Sequence, residues 1–223
     1  MAFRISLHKD VLSGNQEWAE RNLHLFNTNQ IFTINLMSSP GAGKTSLLES
    51  VIPQLKKHAR LAVIEGDLCT TLDAERIAQL GVRTVQINTQ GACHLDARMI
   101  NDVILRFPLT QIDLLIIENV GNLVCPADFY LGEHVRMTVL SVTEGADKAE
   151  KYPSVFRSAN AILLNKIDLL PYVSFDLGRF RVVMSEMNPS APIFPMSATS
   201  REGLTPWTDW ILQTMREQKE QSE

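Results

Sequence analysis

From residue 31 onward the chain alternates short apolar runs with longer stretches in which apolar residues recur at helical spacing. The runs at 31–37, 61–65, 82–87, 113–118, 136–142, 161–165 and 192–195 predict strands. Most of them are apolar almost throughout, without in-and-out alternation, as in strands covered on both faces. Helices are predicted between them over 45–57, 72–80 (ended by Gly81), 94–106, 150–158, 174–187 and 205–218. This order predicts an α/β fold with a mostly parallel sheet and helices on both faces. Residues 8–28 are polar with a scatter of Leu12, Trp18, Leu23, Leu25 and Phe26, which predicts a moderately amphipathic helix covering part of the domain or a partner. The expected organisation is a helical extension over 1–29 and one domain over 30–223, with no internal repeat or linker.

Composition narrows the class. The 223 residues are 45% hydrophobic and 21% charged, enough apolar material for a sizeable core. A net charge of −4 gives no electrostatic footprint for nucleic acid. Three cysteines, Cys69, Cys93 and Cys125, argue against a disulfide framework and for a reducing compartment. The N-terminus has no apolar core of signal-peptide length, and no stretch approaches a membrane span. The expectation is a soluble cytoplasmic protein.

The chemistry begins after the first strand. Ser38-Ser39-Pro40-Gly41-Ala42-Gly43-Lys44-Thr45 has the P-loop form, with Ser38 where the pattern has its first glycine. Gly41, Ala42 and Gly43 would turn backbone N–H groups onto phosphates at a helix N-terminus, with Ser46 in the same turn. Lys44 would reach the β- and γ-phosphates, and the Thr45 hydroxyl would ligate Mg²⁺. Asn165-Lys166-Ile167-Asp168 ends the sixth predicted strand and is similar to the guanine-specificity motif of GTPases. A carboxylate at Asp168 can accept from guanine N1–H and its 2-amino group, a pair that adenine lacks. The Lys166 stem would lie along the base, and Asn165 would tie the pocket to the P-loop. Ser197-Ala198-Thr199 resembles the second guanine loop. The expected ligands are GTP or GDP with Mg²⁺. Asp67 and Glu118 end strands on the nucleotide side, where each can hold Mg²⁺ directly or through water, or orient the attacking water. Asp67 or Asp73 can also be a helix cap. No glutamine stands at the usual water-positioning place, which predicts slow hydrolysis.

Several longer stretches then act together. They are Glu65-Gly66-Asp67, Gly91-Ala92-Cys93-His94-Leu95-Asp96-Ala97, Ile117-Glu118-Asn119-Val120-Gly121-Asn122-Leu123-Val124-Cys125-Pro126-Ala127, Ser141-Val142-Thr143-Glu144-Gly145 and Asn165-Lys166-Ile167-Asp168-Leu169-Leu170-Pro171. With the P-loop they resemble the HypB family, GTPases that insert nickel into nickel–iron hydrogenase, over roughly residues 30 to 215. The related urease nickel GTPase lacks the Asn-Leu-Val-Cys-Pro run. The resemblance implies a GTP-dependent homodimer, nickel delivery to the hydrogenase large-subunit precursor, and a nickel-chaperone partner of the HypA type. The Cys-rich N-terminal motif and His-rich tract of some members do not occur in this sequence, so metal binding is expected in the GTPase domain. The family's metal positions carry over to Cys93, His94 and Cys125, for Ni²⁺ or Zn²⁺ shared across a dimer interface. Thiolate and imidazole suit both ions. Without the resemblance, cysteines so spaced read as small buried hydrophobes. Two other readings stand beside this one: a GTPase of another class with structural cysteines, and a metallochaperone whose nucleotide is only structural.

Overall fold

In a computed structural model, residues 7–67 and 72–220 are described, with side chains from residue 12 onward. Seven strands form one sheet: β1 (Phe32–Ser38), β2 (Leu61–Asp67), β3 (Arg83–Asn88), β4 (Leu114–Glu118), β5 (Val135–Ser141), β6 (Ala161–Asn165) and β7 (Ile193–Pro195). The order is β3-β2-β4-β1-β5-β6-β7, and every neighbouring pair is parallel. All strand C-termini therefore lie along one edge. The order reverses direction beside β1, which makes the end of β1 the crevice where α/β sheets bind ligands.

Alternate residues of each strand feed opposite layers. Ile34, Leu36, Val63, Ile116, Val139 and Leu163 pack against α2 (Lys44–Leu55), α3 (Leu72–Ala78) and α9 (Leu204–Glu220). On the other face, Ile64, Leu115 and Ile117 meet α1 (Leu7–Thr28) and α4 (Ala97–Ile104). Met37, Leu140, Ile162 and Leu164 on that same face meet α7 (Pro153–Arg157) and α8 (Leu177–Met187). Burial on both faces is why the central strands lack alternation, while edge strand β3, half-exposed, mixes polar and apolar residues. No helix among the described residues is long and apolar enough to cross a membrane.

Three local expectations need correction. The helix expected over 150–158 is two, α6 (Lys148–Lys151) and α7, because Pro153 excludes helical geometry from Tyr152 (φ −126°, ψ 58°). The helix expected from residue 94 begins at Ala97, since Asp96 caps it by accepting from Met99 N at 2.7 Å. Cys93 and His94 thus lie in the loop before α4. No helix is expected between the runs at 113–118 and 136–142, yet Cys125 opens the one-turn α5 (Cys125–Asp128), where Pro126 suits the first helical turn.

Candidate functional site: a phosphate cleft and a cysteine–histidine cluster

The loop between β1 and α2 carries the P-loop residues. Gly41 and Gly43 adopt φ of +75° and +97°. At Gly43 a Cβ would lie 2.6 Å from Asn165 Nδ2, so any larger residue would have to displace Asn165. Lys44 and Thr45 open α2 and are buried. Lys44 Nζ donates to Ser38 Oγ at 2.8 Å, so the serine in place of glycine holds the ammonium at the end of β1. Thr45 Oγ1 donates to Glu118 Oε1 at 2.8 Å. Pro40, Gly41, Gly43 to Ser46, Glu65 to Asp67, Asp73, Arg76 and Glu118 to Gly121 line a cleft of about 290 Å³.

The cleft floor is unusually acidic for its burial. Glu65 and Glu118 are register partners on β2 and β4, and each leaves one buried oxygen without a hydrogen-bond partner. Burial, then the neighbouring Glu118, Asp73 and Asp67, pushes the Glu65 carboxyl up to about 8 against the pull of Lys44. Burial likewise raises Glu118, opposed by Lys44 and by the Thr45 hydrogen bond. Lys44 is lowered by its own burial, against the attraction of Glu118 and Asp73. Orphaned carboxylate oxygens beside a hydroxyl are hard donors of the kind that Mg²⁺ takes. Glu65 was missed as a site residue in the sequence because it reads as a strand residue; its charge inside an apolar run was the available signal.

At the far side of the P-loop, Asn165 Nδ2 donates to Ala42 O at 2.9 Å, and Asn165 Oδ1 accepts from Ala198 N at 3.2 Å. Lys166, at φ +63°, donates from Nζ to Gly41 O at 2.8 Å. Asp168 keeps a buried Oδ1 with no hydrogen-bond partner. Ser197 Oγ accepts from Ser200 N at 3.0 Å, which folds the loop carrying Ala198. The P-loop, Asn165-Lys166-Ile167-Asp168 and Ser197-Ala198 thus form one connected rim. Glu144 also reaches it: its carboxylate accepts from Ser39 Oγ and, at 3.0 Å, from Ser141 N. Ser141 and Glu144 form a capping box, whose Ser-x-x-Glu spacing was an available but unread signal that carries no hint of the reach to Ser39.

The segment leaving Glu118 leads to a second cluster. One ligand atom each from Cys93, His94 and Cys125 lies within 4.8 Å of the others. The two sulfurs are 2.9 Å apart, and Cys93 Sγ is 3.7 Å from His94 Nδ1. Asn122 Nδ2 donates to Cys93 O at 3.2 Å, and Asn119 Oδ1 accepts from Leu95 N at 3.2 Å, so the 118–125 segment holds the 93–95 segment directly. The His94 ring lies 3.8 Å from that of Phe129. Burial lowers His94, and the adjacent Cys93 sulfur, then burial, raises the Cys125 thiol. Cys93 is exposed, so the cluster opens to solvent. Three soft or borderline ligands leave a tetrahedral ion one position short of four. Among the described residues no other such group occurs. Cys69 lies outside the described residues.

Comparison with known proteins agrees with this layout. Residues 32–195 match the family model described as CobW/HypB/UreG, nucleotide-binding domain. The Escherichia coli K12 hydrogenase maturation factor HypB is 50% identical over 202 residues, covering 91% of this chain and 70% of that protein. A probable hydrogenase maturation factor HypB of Methanocaldococcus jannaschii is 39% identical, with 96% of this chain and 97% of that protein covered. The crystal structure of HypB from Helicobacter pylori in complex with nickel superimposes with a TM-score of 0.87 at 38% identity, covering 92% and 96% of the two chains. On the family model and on these relatives, the chain belongs to the HypB family.

Proposed function

We propose that this chain is a GTP-hydrolysing metallochaperone that holds nickel at Cys93, His94 and Cys125 and delivers it during maturation of nickel–iron hydrogenase. The observation that carries the reading is one continuous segment. It starts at Glu118 in the phosphate cleft and ends at Cys125 in the cysteine–histidine cluster. A change at the γ-phosphate therefore has a short covalent path to a metal ligand.

In this reading Gly41, Ala42, Gly43, Lys44, Thr45 and Ser46 cradle the phosphates. Asn165, Lys166, Asp168, Ser197 and Ala198 form the base pocket. Thr45, Asp67 and Glu118 would hold Mg²⁺, which when bound would neutralise phosphate charge. Lys44, with Asp67 and Glu118, serves the hydrolytic step by positioning and charge stabilisation. Hydrolysis is slow, for want of a glutamine to orient water. The cluster offers three ligands per chain, so a homodimer sharing Ni²⁺ or Zn²⁺ on its axis completes the shell. Residues 1–29 act as an extension to the domain at 30–223. A HypA-type nickel chaperone and the hydrogenase large-subunit precursor are the partners, in the cytoplasm.

The test is sizing of the protein with GDP and with a non-hydrolysable GTP analogue, each with and without Ni²⁺, alongside GTP turnover. The expected result is a monomer with GDP alone and a dimer with the analogue and Ni²⁺. A size independent of both ligands, or absence of turnover, overturns the reading.

A further inference from the structure

Both segments that carry the cysteine–histidine cluster are tied to α1 by two buried side-chain amides. Asn15 is 7% exposed and Asn22 fully buried. Their spacing puts them on one helix face. Asn15 Oδ1 accepts from Ala97 N at 2.8 Å, and its Nδ2 donates to Tyr130 O at 2.7 Å. Asn22 Nδ2 donates to Ala97 O at 2.7 Å and to Leu131 O at 2.9 Å, and its Oδ1 accepts from Asn101 Nδ2 at 2.9 Å. Each amide therefore joins the segment that follows Cys93 and His94 to the segment that follows Cys125. Gly132 brings the second segment hard against the helix. A Cβ there would lie 2.6 Å from Ala19 O and 2.7 Å from Asn22 Cβ.

Docking a helix needs only an apolar face, and α1 already buries Ala19 and Phe26. Two amides that each bridge the same pair of loops exceed that need. An amide carries donors and an acceptor together, so one side chain can fix the distance between two backbone strands. Metal ligands on loops need such fixing, because geometry is lost with small displacements of the supporting groups. We propose that Asn15 and Asn22 are positioning residues of the metal site. They hold the 93–97 and 125–131 segments at the separation that lets Cys93, His94 and Cys125 share one ion. This makes α1 part of the metal centre's support, and it rests on the metal-binding reading of the cluster.

The test is titration of the reduced, full-length chain with Co²⁺ and Ni²⁺, followed by thiolate-to-metal and d–d absorption, with melting temperature and GDP affinity measured in parallel. Asn15→Ala and Asn22→Ala should each weaken metal binding by about tenfold and alter the Co²⁺ spectrum, with GDP affinity unchanged. Asn15→Asp keeps the acceptor for Ala97 and loses the donor to Tyr130. It should weaken metal binding as Asn15→Ala does; wild-type affinity in it would reduce Asn15 to a tether of α4 and overturn the bridge. Ile211→Ala, in α9 on the opposite face of the sheet, controls for lost stability and should melt earlier while binding metal normally. Wild-type affinity and spectrum in the asparagine variants, or equal weakening in Ile211→Ala, overturn the proposal. Undiminished binding in Cys93→Ala and Cys125→Ala overturns the metal-site reading instead.

Discussion

At the scale of single residues, the proposed base pocket is tested most directly at Asp168. Its Oδ1 is buried with no hydrogen-bond partner, a cost that a structure retains where a ligand supplies the missing donor. Guanine offers N–H donors for a carboxylate; xanthine offers an acceptor where guanine has its amino group. Asp168→Asn should therefore move preference from GTP to XTP by at least about 100-fold in competition binding, in line with sites built around a polar partner. Unchanged GTP preference would remove Asp168 from the base pocket. Gly43 is a second such position. Gly43→Ala places a side chain at φ +97° and within 2.6 Å of Asn165, so it should cost about 1–2 kcal/mol in urea unfolding and also weaken nucleotide binding. Thr45→Ala should weaken Mg²⁺-dependent GDP binding more than binding in the presence of chelator; equal losses would count against Thr45 as a ligand. Lys44, Thr45, Asn165 and Asp168 were legible because phosphate and guanine chemistry fixes residue type at fixed spacing. The roles of Glu65, Asn119 and Glu144 were not, because the groups they meet, at Glu118, Leu95 and Ser39, lie far along the chain and no spacing encodes those meetings.

At the scale of elements, the strands were read to within a residue or two because all but the edges of the sheet are buried on both faces and leave apolar runs. Helix ends were read less well. They depend on caps such as Asp96 and Asp176, and on the local conflict at Tyr152–Pro153, which apolar periodicity does not record. The join between α1 and β1 was not legible at all. His134 Nδ1 accepts from Thr33 N at 3.0 Å, its Nε2 faces Asn27 Oδ1 at 2.8 Å, and the ring stacks on Phe32. Accepting from an N–H requires the neutral ring with its proton on Nε2. Burial pulls the His134 pKa down to about 4. The folded value lies below the unfolded one of 6.5, so the native state binds fewer protons in that window. Stability from this group is present above pH 6.5 and is lost as pH falls toward 4, by up to about 3 kcal/mol. Urea unfolding at pH 7 and pH 5 should show about 2 kcal/mol of that drop, and His134→Gln should flatten it; a variant as acid-sensitive as the parent would place the effect elsewhere.

At the scale of the whole molecule, the two sites sit on one edge of the sheet and share the 118–125 segment. That segment grips the 93–95 segment through Asn119 and Asn122. Such a path makes coupling within one chain possible, and a twofold pairing across the open side of the cluster would add to it. One chain presents an exposed Cys93, and Val124, 55% exposed, lies beside Cys125. A C₂ interface needs only one patch that fits itself. If GTP and metal both favour the paired state, linkage requires reciprocity: nucleotide changes metal affinity by the factor by which metal changes nucleotide affinity. Coupling of this kind is typically 5- to 150-fold, or about 1–3 kcal/mol. Metal ligation also releases thiol protons, so affinity should fall as the pH is lowered. The measurement is Ni²⁺ and Zn²⁺ titration of the apo, GDP and GTP-analogue forms, with the reverse titration of nucleotide at fixed metal. Asn119→Ala, which cuts the bond to Leu95, separates the two routes. It should shrink the coupling in a chain that stays monomeric and leave the part carried by the dimer. Equal metal affinity in all three nucleotide states would falsify the coupling and leave two independent sites on one edge.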